Sequence, residues 1–186
     1  MSTSPTTAAS VALAAFWLIE LFLRRGSAAR SWRASSTDRG STLAIVLAYI
    51  FVAVALTVPL QGPQLPLLTQ WGGALVAMAG AVLRVVAFLT LGSSYSRTLR
   101  VNQGQALVTH GVYRFVRHPG YCSALLIWCG AAAASGSLLA LAFAATVLIA
   151  VYVYRIGAEE RMLVQSFGAQ YSQYQAQSWR LLPYVY

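Results

Sequence analysis

Lysine is absent from the chain and acid is scarce: Glu20, Asp38, Glu159 and Glu160 are the only carboxylates against thirteen arginines, a formal net charge of +9. Only 9% of the 186 residues are charged and 58% are hydrophobic, whereas about a quarter of an ordinary soluble domain is charged. That excludes a soluble globular domain and points to the membrane. The arginines form no continuous basic stripe, which excludes a nucleic-acid surface. They fall instead in the short connections between apolar runs, as the positive-inside rule expects. Cysteine is limited to Cys122 and Cys129, seven apart in one apolar run. On a helix that spacing separates them by roughly 10 Å along the axis, too far for a disulfide, so they read as small core residues without a redox role. The sequence offers no metal-ligand set, no nucleophile with an adjacent base and no phosphate-cradling glycine loop. Its first ten residues carry no charge, so the basic start of a cleavable signal peptide is missing and the first apolar run is expected to be retained.

What is present is a series of apolar runs, at about 8–23, 41–60, 71–91, 119–134 and 137–154. The first is interrupted only by Glu20 and is followed by a basic loop carrying Arg24, Arg25, Arg30, Arg33 and Arg39. Ser41–Leu60 is uncharged and, at about 1.5 Å per residue, long enough to cross a hydrocarbon core of about 30 Å. Gln61–Pro66 is a turn region of glycine and two prolines without arginine. The third run opens on Trp71 and carries Arg84, whose side chain is expected to snorkel to the surface or else to line a polar pocket. From Pro119 to Tyr154 no charge occurs, which suits two spans broken at Ser135-Gly-Ser137, and so short a link makes an antiparallel helix hairpin. Alternate placement of the loops puts the amino terminus outside and the carboxyl terminus in the cytosol. Twelve of the thirteen arginines then lie in cytosolic segments or at cytosolic ends, and Arg84 lies within a span. The expected fold is all-α: one membrane-embedded domain over 1–186 with five transmembrane helices, in a membrane expected to be the bacterial inner membrane.

One stretch concentrates the chemistry, Gly111-Val-Tyr-Arg-Phe-Val-Arg-His-Pro-Gly-Tyr121. Pro119 suits the first position of a helix and biases His118 away from helical angles. Arg117 and His118 then sit at a helix start, where unpaired N–H groups, the dipole and a guanidinium fork favour an anion. The competing reading is a positively charged membrane flank with interfacial His118 and Tyr121. If the hairpin forms, Arg155, Glu159 and Glu160 at its exit meet Arg117 and His118 at its start. A carboxylate there suits a ribose diol or a cation. Adjacent glutamates on a helix point about 100° apart, so one should face the pocket. Both could equally be solvated partners of Arg161 or Arg155. The tail from Met162 to Tyr186, with Phe167, Tyr171, Tyr174, Trp179, Tyr184 and Tyr186 among glutamines, reads as an amphipathic helix on the membrane interface, either a lid or an aromatic anchor.

Taken in order, Leu107-Val-Thr-His-Gly-Val-Tyr-Arg-Phe-Val-Arg-His-Pro-Gly-Tyr121, a helix hairpin, Glu159-Glu160-Arg-Met-Leu, Phe167-Gly-Ala-Gln-Tyr-Ser-Gln-Tyr174 and Arg180-Leu-Leu-Pro183 resemble the isoprenylcysteine carboxyl methyltransferase family of integral membrane enzymes. The resemblance covers about 102–183, the catalytic half, and the first three spans match only in being spans. It implies S-adenosyl-L-methionine bound at the cytosolic face, with Val108, Tyr113, His118, Tyr121, Glu159 and Glu160 as contacts. Arg117 and Arg155 would be the catalytic pair, beside the cofactor carboxylate or the acceptor. Gly120 and Cys122-Ser123 depart from the larger apolar residue and the glycine that many relatives carry there, a local packing difference. The acceptor is expected to be a lipophilic O- or S-nucleophile, such as a prenylcysteine-like carboxylate or a lipid phenol or pyrone. Two rival readings are a membrane reductase similar to the sterol reductases, using NADPH, and a small transporter or scaffold without catalysis. Oligomeric state is not legible.

Overall fold

The computed structural model describes residues 4–24, 40–58, 61–92 and 106–183, and it is all-helical: no strand occurs among them. Helices α1 (Pro5–Arg24), α2 (Ser41–Thr57), α3 (Leu67–Leu91), α4 (Pro119–Ala134), α5 (Leu138–Phe167) and α6 (Ala169–Ala176) follow one another, with a 3-10 turn at Gly111–Arg114 before α4. The basic loop of Arg25, Arg30, Arg33, Asp38 and Arg39, together with Arg97, Arg100, Tyr184 and Tyr186, lies outside the described residues.

Small residues set the centre of the bundle. Where α3 crosses α4, a Cβ added at Gly73 would stand 2.6 Å from Ala133 Cβ and 2.7 Å from the Gly130 carbonyl. One added at Gly130 would stand 2.6 Å from both Ala77 N and the Gly73 carbonyl. Backbones that approach so closely exchange dispersion contacts that no larger residue would allow, the means by which helices associate where lipid is as apolar as their side chains. Helix α1 lies across α3 and α4, and α5 packs between α4 and α2. An aromatic group fills the junction of α1, α2 and α4: Trp128 stacks on Tyr49 at 5.3 Å, with Phe16 and Trp17 edge-on to both. The outside of the bundle is apolar, Leu68 being 85% exposed and Leu75 and Leu89 70%, a surface that water would not tolerate and a bilayer requires.

Helices α3 and α5 are long and apolar enough to cross a membrane, and α1, α2 and α4 are shorter apolar helices. At 16 residues, α4 is about 24 Å long, somewhat under the core thickness. The hairpin forms as the sequence predicts, with Ser135–Ser137 between α4 and α5. Gly136 takes φ +83° there, and Ser137 caps α5 by accepting from the Ala140 N–H at 3.2 Å. The arginine-free turn 61–66 docks on that link, Leu65 N–H donating to the Gly136 carbonyl at 2.7 Å and Leu138 N–H to the Pro63 carbonyl at 3.2 Å. Both connections predicted for one membrane face therefore meet at one end of the bundle.

Helix α5 continues past the expected span to Phe167, because charges after Tyr154 mark where a chain leaves lipid and do not break a helix. Two expectations are corrected. The tail is not one amphipathic helix: Gly168, at φ +54°, a conformation that side chains disfavour, ends α5 and starts the eight-residue α6, after which the chain folds back toward α4. Arg84 does not snorkel. It is 9% exposed, pairs with Glu20 of α1 and donates to the Gly120 carbonyl of α4 at 2.8 Å. An acid within reach on the neighbouring helix made burial less costly than stretching to the surface.

Candidate active site

Pro119 opens α4 and His118 holds the non-helical position before it, at φ −122° and ψ 57°. The segment leading in pairs with the returning tail. Trp179 N–H donates to the Phe115 carbonyl (2.9 Å), Arg117 N–H to the Trp179 carbonyl (2.7 Å) and His118 N–H to the Arg180 carbonyl (3.1 Å). The N–H groups of the two residues just before the helix are thus occupied by the tail, which the sequence pattern did not foretell.

Glu160 is the hub beneath this pairing. Its Oε1 accepts from Arg117 Nε at 2.9 Å and its Oε2 from Arg180 Nε at 3.0 Å, so the expected partners Arg155 and Arg161 are replaced by two arginines from elsewhere in the chain. Arg117 also donates through Nη1 to the carbonyls of Gln175 (3.0 Å) and Ser178, where α6 ends. Burial works against the charge of Glu160, but His118 and Arg117 beside it outweigh that and hold its carboxyl down at about 2. The buried His118 ring lies between the two glutamates, Nε2 3.4 Å from Glu160 Oε1 and Nδ1 3.9 Å from Glu159 Oε2.

Glu159 belongs to a second, connected network. Tyr121 OH donates to Glu159 Oε2 at 2.6 Å and accepts from Arg155 Nε at 3.0 Å. Arg155, 2% exposed, extends through Nη1 to the hydroxyls of Ser41 (2.6 Å) and Thr42 (3.1 Å) at the start of α2. The Tyr121 ring stacks between His118 (5.7 Å) and Tyr152 (5.1 Å). The glutamates therefore divide as helix geometry predicts: Glu160 is enclosed, while the Glu159 side chain is 26% exposed.

The structure brings Arg117, His118, Tyr121, Arg155, Glu159 and Glu160 together. Arg117 and Arg155 were expected side by side, yet they serve different glutamates. Tyr113 is tied in less directly, its carbonyl accepting from Tyr174 OH at 2.6 Å. Val108 is half-buried between Leu107 and Thr109, which line an open groove of about 650 Å³ with Arg114, Phe115, Gln173 and Tyr174. Tyr171 and Tyr174 of α6 read in the sequence only as aromatics. Both are buried, and burial first of all pushes their phenols up, Tyr174 to about 12, so each is a neutral donor at ordinary pH. Among the described residues Tyr171 OH is buried without a hydrogen-bond partner, while His118 Nε2 faces Glu160 Oε1 at 3.4 Å. Ser41, Thr42 and Ser178 escaped sequence reasoning altogether, since single hydroxyls carry no pattern. Arg180 could have been found from its place in Arg180-Leu-Leu-Pro183.

Comparison with known proteins places these observations. Residues 73–165 match the model of the isoprenylcysteine carboxyl methyltransferase (ICMT) family. Protein-S-isoprenylcysteine O-methyltransferase A of Arabidopsis thaliana is 38% identical over 106 residues, which are 55% of this chain and 53% of that protein. The protein-S-isoprenylcysteine O-methyltransferase of Schizosaccharomyces pombe is 34% identical over 97 residues, 51% of this chain and 41% of its own. The chain thus matches about half the length of these curated relatives. Among solved structures, that of the eukaryotic intramembrane Ras methyltransferase ICMT superposes with a TM-score of 0.68 at 23% identity, over 100% of this chain and 70% of the other, a likeness of fold.

Proposed function

Because the chain belongs to the isoprenylcysteine carboxyl methyltransferase family, we propose that it is an S-adenosyl-L-methionine-dependent methyltransferase acting on a lipophilic O- or S-acceptor at the cytosolic face of a membrane that it crosses five times. The observation that carries the reading is the convergence of two distant sequence motifs on one partly enclosed network, in which the buried Tyr171 OH lacks a hydrogen-bond partner. Tyr171 OH and the buried His118 ring can donate, and Glu159 keeps an exposed edge that can accept. Donors for a carboxylate or ring nitrogen beside an acceptor for a diol or an ammonium suit a nucleoside that carries an amino-acid tail.

S-adenosyl-L-methionine supplies a methyl group on a positively charged sulfur, and in-line displacement moves it to the acceptor. The chain's part is positioning. Glu159, His118 and Tyr171 would hold the donor, with Tyr113 and Val108 of the 106–115 segment on its flank. Arg155, fixed by Tyr121, Ser41 and Thr42, orients the acceptor. Arg117 and Glu160 keep the tail folded over the site and water out, which revises Arg117 from a catalytic to a positioning residue. A carboxylate acceptor needs no base, whereas a phenol or enol would lose its proton to His118 or solvent. A prenylcysteine-like carboxylate is the favoured acceptor, in keeping with the names of the relatives.

Calorimetry on detergent-purified protein tests the reading. S-adenosyl-L-methionine and S-adenosylhomocysteine should bind in the micromolar range and NADPH should not. Binding of NADPH alone would transfer the protein to the reductase reading, and binding of neither would favour a transporter or scaffold. Family membership weighs against both.

A further inference from the structure

Glu20 and Arg84 are charges that the proposed mechanism leaves unused, and they sit where a charge is costly. Arg84 lies seven residues before the end of α3, about 10 Å along the axis from that end. Its side chain is 11% exposed and that of Glu20 15%. Burying an ion pair in so apolar a bundle gains little stability over two apolar side chains, because desolvation offsets the attraction. Ionisable residues at such depth therefore suggest a task. The contacts identify it. While one guanidinium nitrogen meets Glu20, Nη1 donates at 2.8 Å to the carbonyl of Gly120, and the guanidinium carbon lies 5.2 Å from the centre of the Phe16 ring. Gly120 stands between Pro119 and Tyr121 in the first turn of α4, and its carbonyl also accepts from Ser123 Oγ at 2.7 Å. A Cβ at Gly120 would come within 3.3 Å of Arg84 Nη1, so a side chain there would press on the guanidinium.

We infer that Arg84, oriented by Glu20, is a positioning residue that fixes the first turn of α4 and with it His118 and Tyr121. It is a buried strut carrying α1 and α3 into a site otherwise built from α4, α5, α6 and the start of α2. As a statement about catalysis the inference rests on the methyltransferase reading; as a statement about the helix start it does not. Cys122, 7% exposed in the same first turn, reports on that turn, and Cys129, two turns deeper in α4, serves as the internal control.

Single changes at either position leave a buried unpaired charge and can prevent folding, so the decisive variant is the double Glu20→Leu/Arg84→Met, which removes both charges together. Its thermal unfolding in detergent should stay close to that of the parent. Maleimide labelling of Cys122 relative to Cys129, measured by peptide mass, should rise at least about fivefold, and S-adenosylhomocysteine should bind about tenfold or more weakly. The charge-swapped double variant Glu20→Arg/Arg84→Glu restores the pair but sets an acceptor beside the Gly120 carbonyl, so it should not recover the labelling ratio, and full recovery would overturn the inference in favour of the ion pair alone. A double variant with the parent's labelling ratio and affinity would overturn the inference and leave the pair a structural staple. Equal gains at both cysteines would also overturn it, as general loosening. If the parent itself bound no S-adenosylhomocysteine, the methyltransferase reading would fail while the labelling ratio still decided the role of Arg84.

Discussion

Glu159 and Glu160 are neighbours in sequence with different tasks, and each task predicts its own defect. Glu159→Gln removes an exposed acceptor from the proposed cofactor site. A hydrogen bond involving a charged group is worth about 1.5 to 3 kcal/mol, so S-adenosylhomocysteine should bind roughly tenfold to hundredfold more weakly by calorimetry. Glu160→Gln should instead free the tail, read as faster limited proteolysis between Gly168 and Pro183 with a smaller loss of affinity. The pH dependence follows from the same carboxyl. Its folded value, about 2, lies below the ordinary 4.5, so the stability it contributes is complete above about 4.5 and is lost as the pH falls toward about 2. Protease protection of the tail should therefore persist at pH 5 and fade only in strong acid. Arg117→Lys should not rescue Arg117→Ala in that assay, since a point charge cannot span Glu160 and two carbonyls as the guanidinium does. The hub residues were legible in the sequence as types brought together by a hairpin. Which acid was enclosed was not, because that depended on Arg180 returning from a tail whose course hung on Gly168.

At the scale of helices, α4 begins at Pro119 and ends before Ser135 as the pattern predicts, because proline, an uncharged run and a serine-glycine link each constrain the backbone locally. Helix α3 begins at Leu67, one turn ahead of the span expected from Trp71: Pro66 sets the boundary, and the tryptophan belongs to the second turn. What no pattern conveyed was which helices touch. The α3–α4 contact rests on Gly73, Ala77 and Gly130, and small residues in an apolar run look alike whether they face lipid or a neighbour. Two glycines side by side separate the cases. Gly73→Val meets Ala133 and backbone within 3 Å, whereas nothing lies within 4 Å of a Cβ at Gly72. Gly73→Val should lower the unfolding temperature in detergent by the equivalent of about 1 to 3 kcal/mol or prevent folding. Gly72→Ala should be neutral or stabilise by up to about 1 kcal/mol.

For the whole molecule, the arginine distribution anticipates two ends with different characters, and the described residues agree. The arginine-free turns 61–66 and 135–137 meet at one end, and Arg114, Arg117, Arg155, Arg161 and Arg180 gather with the glutamates at the other. A cysteine placed within 61–64 should be labelled by an impermeant reagent from outside whole cells and one within 30–39 should not. The reverse pattern would invert the orientation and move the site to the other side. The central claim, that the network under the tail transfers a methyl group to a lipid, is tested most directly by transfer itself. Protein reconstituted in vesicles is given methyl-labelled S-adenosyl-L-methionine and a farnesylated cysteine derivative with its carboxylate free, with a long-chain phenol and a long-chain thiol in parallel. The account predicts label in at least one extracted lipid, most of all the farnesylcysteine ester, and a loss of at least about tenfold in Glu159→Gln and Arg155→Ala. Folded protein that binds the donor but labels none of the three acceptors, or Glu159→Gln and Arg155→Ala variants that both turn over like the parent, would contradict it.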